Sequence, residues 1–370
     1  MIVYTSICMN YLPKALCLGE SLKKTNPNVK FYVILLEREI PDEWPEIANK
    51  LIDEVILAKD LGWEDFDKYI FKHSIVEAST SVKGQALVYL LKNVSDKVLY
   101  IDPDIYVYKE LNELDKLLDK NDVILTPHLT IPESNKTDID NNELCALQHG
   151  VYNLGFVGVK NSNEGLKFAN WWNDRLQLYC YDDIPKGIFT DQRWIDLAPA
   201  YFNVYILKHP GYNMAPWNLS TRKLSIKDDK ILVNDEYELF FFHYSGFDSG
   251  ANENVFNYYV KDKKNVIYKL RNEYVDKMNL FGQDSLGKYK WTYSRYNDSR
   301  VIDRETRIIY RDAGFDKIIR VNPFSLSDKH IKEMISPTKF EDQKSDSFLR
   351  EIMRLIIPFK LRKFIKDHFF

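Results

Sequence analysis

Val98-Leu99-Tyr100-Ile101-Asp102-Pro103-Asp104-Ile105-Tyr106-Val107-Tyr108 is an apolar run broken by two carboxylates and resumed at once. The four residues before Asp102 read as a buried strand. Asp102 and Asp104 stand one residue apart, so on an extended backbone they project to one side. Pro103 fixes the dihedral between them and donates no ladder hydrogen bond. Two close carboxylates resist joint ionisation, so the pair calls for a metal, a proton or solvent. Hard divalent cations take such oxygen ligands and often bridge a protein to substrate phosphates. Asp-Pro-Asp is equally a good turn, and the rest of the chain has to decide between the two.

Outward from this stretch the pattern is β-α-β-α-β. Residues 1–7 read as a strand and 12–24 as a helix with Leu16, Leu18 and Leu22 on its apolar positions, stopped at Thr25-Asn26-Pro27. Residues 29–36 are near-continuously apolar, as in a strand covered on both faces, and Val55-Ile56-Leu57 is a short third strand. One helix is expected over 75–91, ahead of Val98–Ile101. That alternation predicts a doubly wound parallel sheet, in which ligands bind beyond the carboxyl ends of the strands. Asp102 and Asp104 sit at one such end. Later strands are expected at 122–126, 152–159, 201–207 and 238–242, and a helix at 164–178 carrying Trp171 and Trp172. Residues 131–143 read as a polar loop. Charged helical stretches follow over 255–278, then an irregular aromatic region over 289–311 in which Trp291, Tyr293 and Tyr296 are candidates for stacking on sugars or for core packing.

Composition narrows the classes. The 370 residues hold one large α/β domain with an appendage, or two domains, and 45% hydrophobic content is ample for a core. A formal net charge of −3 gives no global basic field, so nucleic acid is not an expected partner. Cys8, Cys17, Cys145 and Cys180 form no C-x-x-C pair and read as reduced thiols of a cytoplasmic protein. No signal peptide or membrane-spanning run is evident. The last segment, 346–370, places Phe348, Ile352, Leu355, Ile356, Phe359, Phe364 and Ile365 at helix-like spacings among six Lys and Arg, with Pro358 dividing it. A basic amphipathic helix of this kind reads as a membrane-surface anchor; a helix packed on its own domain is the alternative.

Four further segments carry candidate chemistry. Asn153-Leu154-Gly155 puts an amide beside a glycine, where a ligand can approach the backbone. Asp191-Gln192 opens a helix-like stretch, where Asp is also a favoured N-cap. His243-Tyr244-Ser245-Gly246 ends an apolar strand, and Lys83-Gly84-Gln85 lies on the helix before the Asp102 strand. Each has an ordinary structural explanation taken singly. Their order is the stronger signal.

Asp102-Pro103-Asp104, Asn153-Leu154-Gly155, Asp191-Gln192 and His243-Tyr244-Ser245-Gly246, in that order over residues 1–250, make the chain resemble the GT-A glycosyltransferases, specifically the retaining bacterial enzymes of family 8. Leu125-Thr126-Pro127-His128, Trp171-Trp172 and the segment from Tyr212 to Leu219 resemble a subgroup associated with bacterial surface polysaccharide (lipopolysaccharide or capsule). The resemblance implies an α/β, GT-A (Rossmann-like), mostly parallel sheet flanked by helices, with a C-terminal helical or irregular extension. It implies a catalytic domain over 1–250, an extension over 251–345 and the basic tail over 346–370. It implies Mn²⁺ or Mg²⁺ held by Asp102, Asp104 and His243, bridging the diphosphate of a nucleotide sugar, with UDP-sugars first among donors. Asn153 and Asp191 would contact sugar hydroxyls, with Gln192 near the anomeric carbon and Gly155 at the donor. Thr5, Ser6 and Tyr11 would cradle the nucleoside, and Lys83 would touch phosphate or sugar. The acceptor would be a glycan or lipid-linked glycan, reached by a cytoplasmic enzyme held peripherally at the inner face of the membrane. Family members commonly continue the last motif into Lys-Pro-Trp; here it continues Phe247-Asp248-Ser249-Gly250, which leaves the phosphate cation to Lys83, Arg222 or Lys223. Two other classes compete: a non-catalytic glycan-binding or scaffold protein on the same fold, and a sugar nucleotidyltransferase. The latter normally has a Gly-rich phosphate loop after its first strand, and Thr5 to Tyr11 contains no glycine.

Overall fold

The computed structural model describes residues 1–246 and 250–334; the basic tail and Phe247-Asp248-Ser249 lie outside the described residues. The strands used below are β1 (Ile2–Ile7), β2 (Lys30–Leu35), β3 (Glu54–Leu57), β4 (Lys97–Ile101), β5 (Ile105–Val107), β6 (Val123–Pro127), β7 (Tyr152–Lys160), β8 (Val204–Ile206) and β9 (Phe241–His243). A seven-stranded sheet runs in the order β8-β6-β7-β4-β1-β2-β3. β1, β2, β3 and β4 are mutually parallel, as are β6 and β8. β7 runs antiparallel to both β4 and β6, so the sheet is mostly rather than wholly parallel. This is the expected α/β class with helices against the sheet.

Every residue of β1 and β6 is buried, as a sheet covered on both faces requires. Helix Leu12–Thr25 buries Leu12, Leu16, Leu18 and Leu22 completely. Each such leucine contributes about 2 kcal/mol by leaving water. The helix expected over 75–91 is two helices, Ile75–Ser81 and Lys83–Asn93, parted at Val82. The second begins at Lys83 and crosses helix Asn163–Tyr179 closely. A Cβ on Gly84 would lie 2.6 Å from the Asn173 Cα, so only glycine permits that approach. The crossing fixes where Lys83 starts.

Two expectations need correction. Residues 131–143 are not merely a loop: helical turns run over Lys136–Asp138, Ile139–Glu143 and Leu144–His149. The local sequence is polar enough to read as a connection, yet Asn135 caps the first turn through its side chain. The region 289–311 contains the regular helix Arg304–Asp312, capped by Asp303.

Packing groups the described residues into two compact units, residues 1–61 with 79–290 and residues 62–78 with 291–334. The helix Val266–Leu280 belongs to the first and packs on Leu12–Thr25, with Lys277 paired to Glu20. In the second, Trp291, Tyr293 and Tyr296 are 4%, 1% and 3% exposed, so they are core residues and not a sugar platform. Tyr293 packs edge-on to Phe66 and beside Phe324, and the Arg307 guanidinium lies over Trp291.

Candidate metal and donor site

The parallel strands deliver their carboxyl ends to one edge of the sheet, and the antiparallel β7 delivers its amino end there. Phe156 pairs with Ile101, and the Asp102 amide donates to the Gly155 carbonyl at 2.8 Å. Thus Asn153-Leu154-Gly155 is laid beside Asp102 by strand register alone. Asp102 closes a turn by accepting from the Ile105 amide. β5 then pairs antiparallel with β9, His243 opposite Ile105, and the Tyr244 amide donates to the Asp104 carbonyl.

His243 Nε2 lies 3.0 Å from Asp104 Oδ1 and 3.8 Å from Asp102 Oδ2. One ligand atom from each of the three residues falls within 4.8 Å of the others. Two carboxylates and an imidazole suit a divalent ion that accepts oxygen and nitrogen together. Asn213 is the supporting residue: its Oδ1, which can only accept, faces His243 Nδ1 at 3.3 Å. That contact puts the proton on Nδ1 and leaves Nε2 for a metal. Asn213 Nδ2 in turn donates to Thr126 Oγ1 and Asn153 Oδ1, and its backbone holds a left-handed φ of 50°. Asn tolerates that conformation better than most residues. A Cβ on Gly155 would stand 2.5 Å from His243 Cε1, so glycine is what lets the imidazole take this place. Trp217 packs edge-on to both His243 and His128.

The charges are uneven in their effects. Burial favours the neutral Asp104 carboxyl, but His243 and then Lys14 outweigh it and hold the group at about 2. Burial pushes the His243 imidazole down, and Asp104 and then Asp102 overcome this, leaving it above its ordinary value. His128 is pushed down to about 4, chiefly by burial. It is therefore neutral, its Nδ1 toward the Val151 carbonyl and its Nε2 accepting from Asn153.

Lys83 joins the two halves of the site. Its buried ammonium lies 2.9 Å from Asp191 Oδ2, 3.3 Å from Asp102 Oδ1 and 3.1 Å from the Leu154 carbonyl, over the Tyr100 ring. Burial opposes its charge, and Asp102 and Asp191 together hold it well above the ordinary lysine value. Tyr100 donates to Asp102 Oδ1, and Tyr4 donates to the Lys83 carbonyl. Asp191 Oδ1 also accepts from Thr190 Oγ1. Thr190 has a φ of 43°, an outlier for a β-branched residue and a local strain beside Asp191. Gln192 uses its amide on the backbone, accepting from the Leu154 amide and donating to the His149 carbonyl.

The structure therefore gathers Lys83, Asp102, Asp104, Asn153, Gly155, Asp191, Gln192 and His243 into one hydrogen-bonded network. Thr5 and Ser6 are buried in the adjacent β1, Ser6 bonded to the Ser79 carbonyl. The Thr5 hydroxyl has no partner among the described residues. Tyr11 ends the short turn Met9–Tyr11 after β1. Arg222 is no phosphate cation, because its buried guanidinium is held by the carbonyls of Pro210 and Tyr212. Lys223 is exposed. Tyr100, Asn213 and Lys14 were not singled out by the sequence. Tyr100 read as one more apolar strand residue, and Asn213 and Lys14 reveal their places only through tertiary neighbours.

No protein-family model matches the chain. Two uncharacterized proteins of Bacillus subtilis (strain 168) are similar to parts of it. YfnF is 30% identical over 154 residues, which is 41% of this chain and 50% of that one. YfnD is 34% identical over 101 residues, 26% of this chain and 32% of that one. The chain thus spans half the length, or less, of these curated relatives. Among solved structures, the galactosyltransferase LgtC in complex with donor and acceptor sugar analogues is 17% identical, covering 67% of this chain and 88% of that one at a TM-score of 0.39. The glycosyltransferase GlyE of Streptococcus pneumoniae TIGR4 is 17% identical, covering 80% and 66% at 0.42. The bifunctional glycosyltransferase WbbM is 15% identical, covering 66% and 45% at 0.40.

Proposed function

We propose that the protein is a metal-dependent glycosyltransferase that moves a hexose-like sugar from a nucleoside diphosphate sugar, UDP-sugars foremost, to a glycan or lipid-linked glycan of bacterial surface polysaccharide, with retention. The observation that carries this reading is the Asp102–Asp104–His243 cluster at the carboxyl edge of the sheet, with the Lys83–Asp191 pair beside it. The donor set fits Mn²⁺ or Mg²⁺, and the bound ion would stabilise negative charge on the departing diphosphate. Asn213 keeps His243 turned toward that ion. Lys83 keeps Asp191 fixed, and Asp191 with Asn153 positions the sugar hydroxyls. Asp191 has one oxygen on Lys83 and the other on Thr190. A carboxylate engaged on both sides is a poor nucleophile, which favours front-face attack over a covalent intermediate. Residues 1–250 carry the donor site in this reading, and 251–345 form the extension on the acceptor side.

Thermal unfolding against uridine, guanosine, adenosine and cytidine diphosphates, with and without Mn²⁺, tests the donor site. A ligand at about a hundred times its Kd adds roughly 2.7 kcal/mol and raises the midpoint by several degrees. The expected result is a shift with one base that requires Mn²⁺; no shift with any of them removes the donor reading. Among the described residues no helix is long and apolar enough to cross a membrane. The proposed location, at the inner face of the cytoplasmic membrane, rests on the basic segment 346–370. Truncation after Ser347 is expected to release the protein from anionic phosphatidylglycerol vesicles, and unchanged sedimentation with them would refute the anchor.

A further inference from the structure

We propose that Arg222 is a positioning residue for the metal cluster: it holds the turn that carries Asn213, and through Asn213 the imidazole of His243. The assignment rests on the metal reading above, and no motif of the chain points to it. Donors and acceptors between these residues are ordered from the backbone. The Gly155 amide can only donate, and it meets Asn153 Oδ1 at 3.0 Å. Asn213 Nδ2 reaches that same oxygen at 2.9 Å. With its NH₂ group turned to Asn153 and to Thr126 Oγ1, Asn213 presents Oδ1 to His243 Nδ1. An Asn213 side chain that left this place would take away the acceptor that orients the imidazole.

What keeps Asn213 there is the backbone on either side of it. On the carboxyl side Met214 bridges in parallel to Phe242 of β9, and the His243 amide donates to the Met214 carbonyl at 2.7 Å. On the amino side the holder is Arg222. Its Nη1 donates to the Pro210 carbonyl at 3.0 Å and to the Tyr212 carbonyl at 2.9 Å, the residue just ahead of Asn213. Asn213 then takes its left-handed φ of 50°, which a residue with a side chain keeps only where its surroundings impose it. The Arg222 amide also donates to the Asn218 carbonyl, and Asn218 Nδ2 donates to the Asn213 carbonyl at 3.1 Å. Arg222 thus grips the turn from its side chain and from its backbone. It is only 2% exposed, and among the described residues no carboxylate compensates its charge. The guanidinium therefore serves as a rigid fork of donors to carbonyls and not as half of an ion pair.

The test is calorimetric titration of Mn²⁺ alone into the full chain, in the unaltered protein, Arg222→Met, Asn213→Gly and the two combined. Glycine keeps the left-handed turn and removes the amide side chain. Asn213→Gly is expected to weaken Mn²⁺ by about ten- to hundredfold, the usual loss when a group that orients a metal ligand is removed. Arg222→Met acts one contact further out and should cost about tenfold, the lower end of that range. In the combined variant the arginine change should add less than about twofold, because the side chain it positions is gone. Arg222→Lys keeps a buried donor for the carbonyls and should recover most of the affinity. Arg222→Gln takes the place of the methionine variant in the cycle if that one does not fold, with the same expectation. A lowered melting temperature with unchanged Mn²⁺ affinity would make Arg222 merely structural and overturn the assignment. Losses from Arg222→Met and Asn213→Gly that simply add would overturn it too, since the arginine would then act by another route. If the unaltered protein binds no Mn²⁺, the metal reading fails and the Arg222 assignment with it. If the unaltered protein binds Mn²⁺ and Arg222→Met binds it as tightly, the Arg222 assignment alone is lost.

Discussion

Asp104→Ala is expected to abolish the proposed Mn²⁺-dependent nucleotide binding and to lower the proposed sugar transfer by ~10³-fold or more, the scale on which a lost electrostatic contact to the transition state is felt. The backbone around Asp104 should persist. Its carbonyl accepts from Tyr244 whatever the side chain, and β5 stays paired to β9. In the metal-free protein the carboxyl is held at about 2 against an ordinary 3.8. A depressed carboxyl contributes stability that is present above 3.8 and lost as pH falls through about 2, on the order of 2 kcal/mol here. The variant therefore unfolds a few degrees lower, yet cooperatively. A Mn²⁺ titration that is unchanged in Asp104→Ala would take this residue out of the metal set.

His243 is expected to supply the pH dependence of metal binding at the same cluster. Its imidazole is raised above the ordinary value in the metal-free protein, because Asp104 and then Asp102 outweigh the effect of burial. A metal needs the Nε2 lone pair, so binding must expel that proton. Mn²⁺ affinity consequently falls as pH drops through the raised value, by up to about tenfold per pH unit. Without Asp104 the imidazole loses its chief raising partner and moves down, which a histidine proton titration by NMR reads directly.

The sheet was legible because its strands are apolar runs of strand length with a carboxylate pair at one end. β1, β2, β3, β4 and β7 fall where residues 1–7, 29–36, 55–57, 98–101 and 152–159 announce them. Hydrophobic pattern reports burial, and β1, β4 and β7 are buried on both faces, while the edge strand β3 is only half-buried. It does not report direction, so the antiparallel course of β7 was invisible, though it is what brings Gly155 against His243. Trp291, Tyr293 and Tyr296 show the same limit: aromatic content is visible in a sequence, but whether a ring meets solvent or Phe324 is decided by the fold. At the site, the residues chosen by motif were found together. The sequence could not show Asn213 reaching back thirty residues' distance from His243, nor the pairing of Lys83 with Asp191, since both depend on loops meeting at one sheet edge.

That Lys83–Asp191 pair carries the second large expectation. Lys83→Met should destabilise the protein by about 3–5 kcal/mol at neutral pH, the usual cost of stranding one member of a buried ion pair. The side chains are 3% and 4% exposed, so solvent cannot take over the role of the ammonium. Burial already raises the Asp191 carboxyl and Lys83 opposes it. Without Lys83 that opposition disappears and the carboxyl rises further. A carboxyl with a raised folded value contributes stability that is fully present below its unfolded value and is lost as pH rises through the folded one. The single variant should therefore gain stability as pH falls from 7 toward the ordinary carboxylate range, where the unaltered protein does not gain as much. Lys83→Met with Asp191→Asn should recover most of the lost stability, because a neutral amide needs no cation. Denaturant unfolding of the four proteins closes the cycle. The proposed transfer activity should stay low in the double variant, since Tyr100 and Lys83 both hold Asp102 and the amide would replace the carboxylate proposed to meet sugar hydroxyls. If the double variant is no more stable than Lys83→Met alone, the ammonium acts through Asp102 or Leu154 rather than through Asp191. The position of the Asp191 carboxylate would then need another explanation than this ion pair.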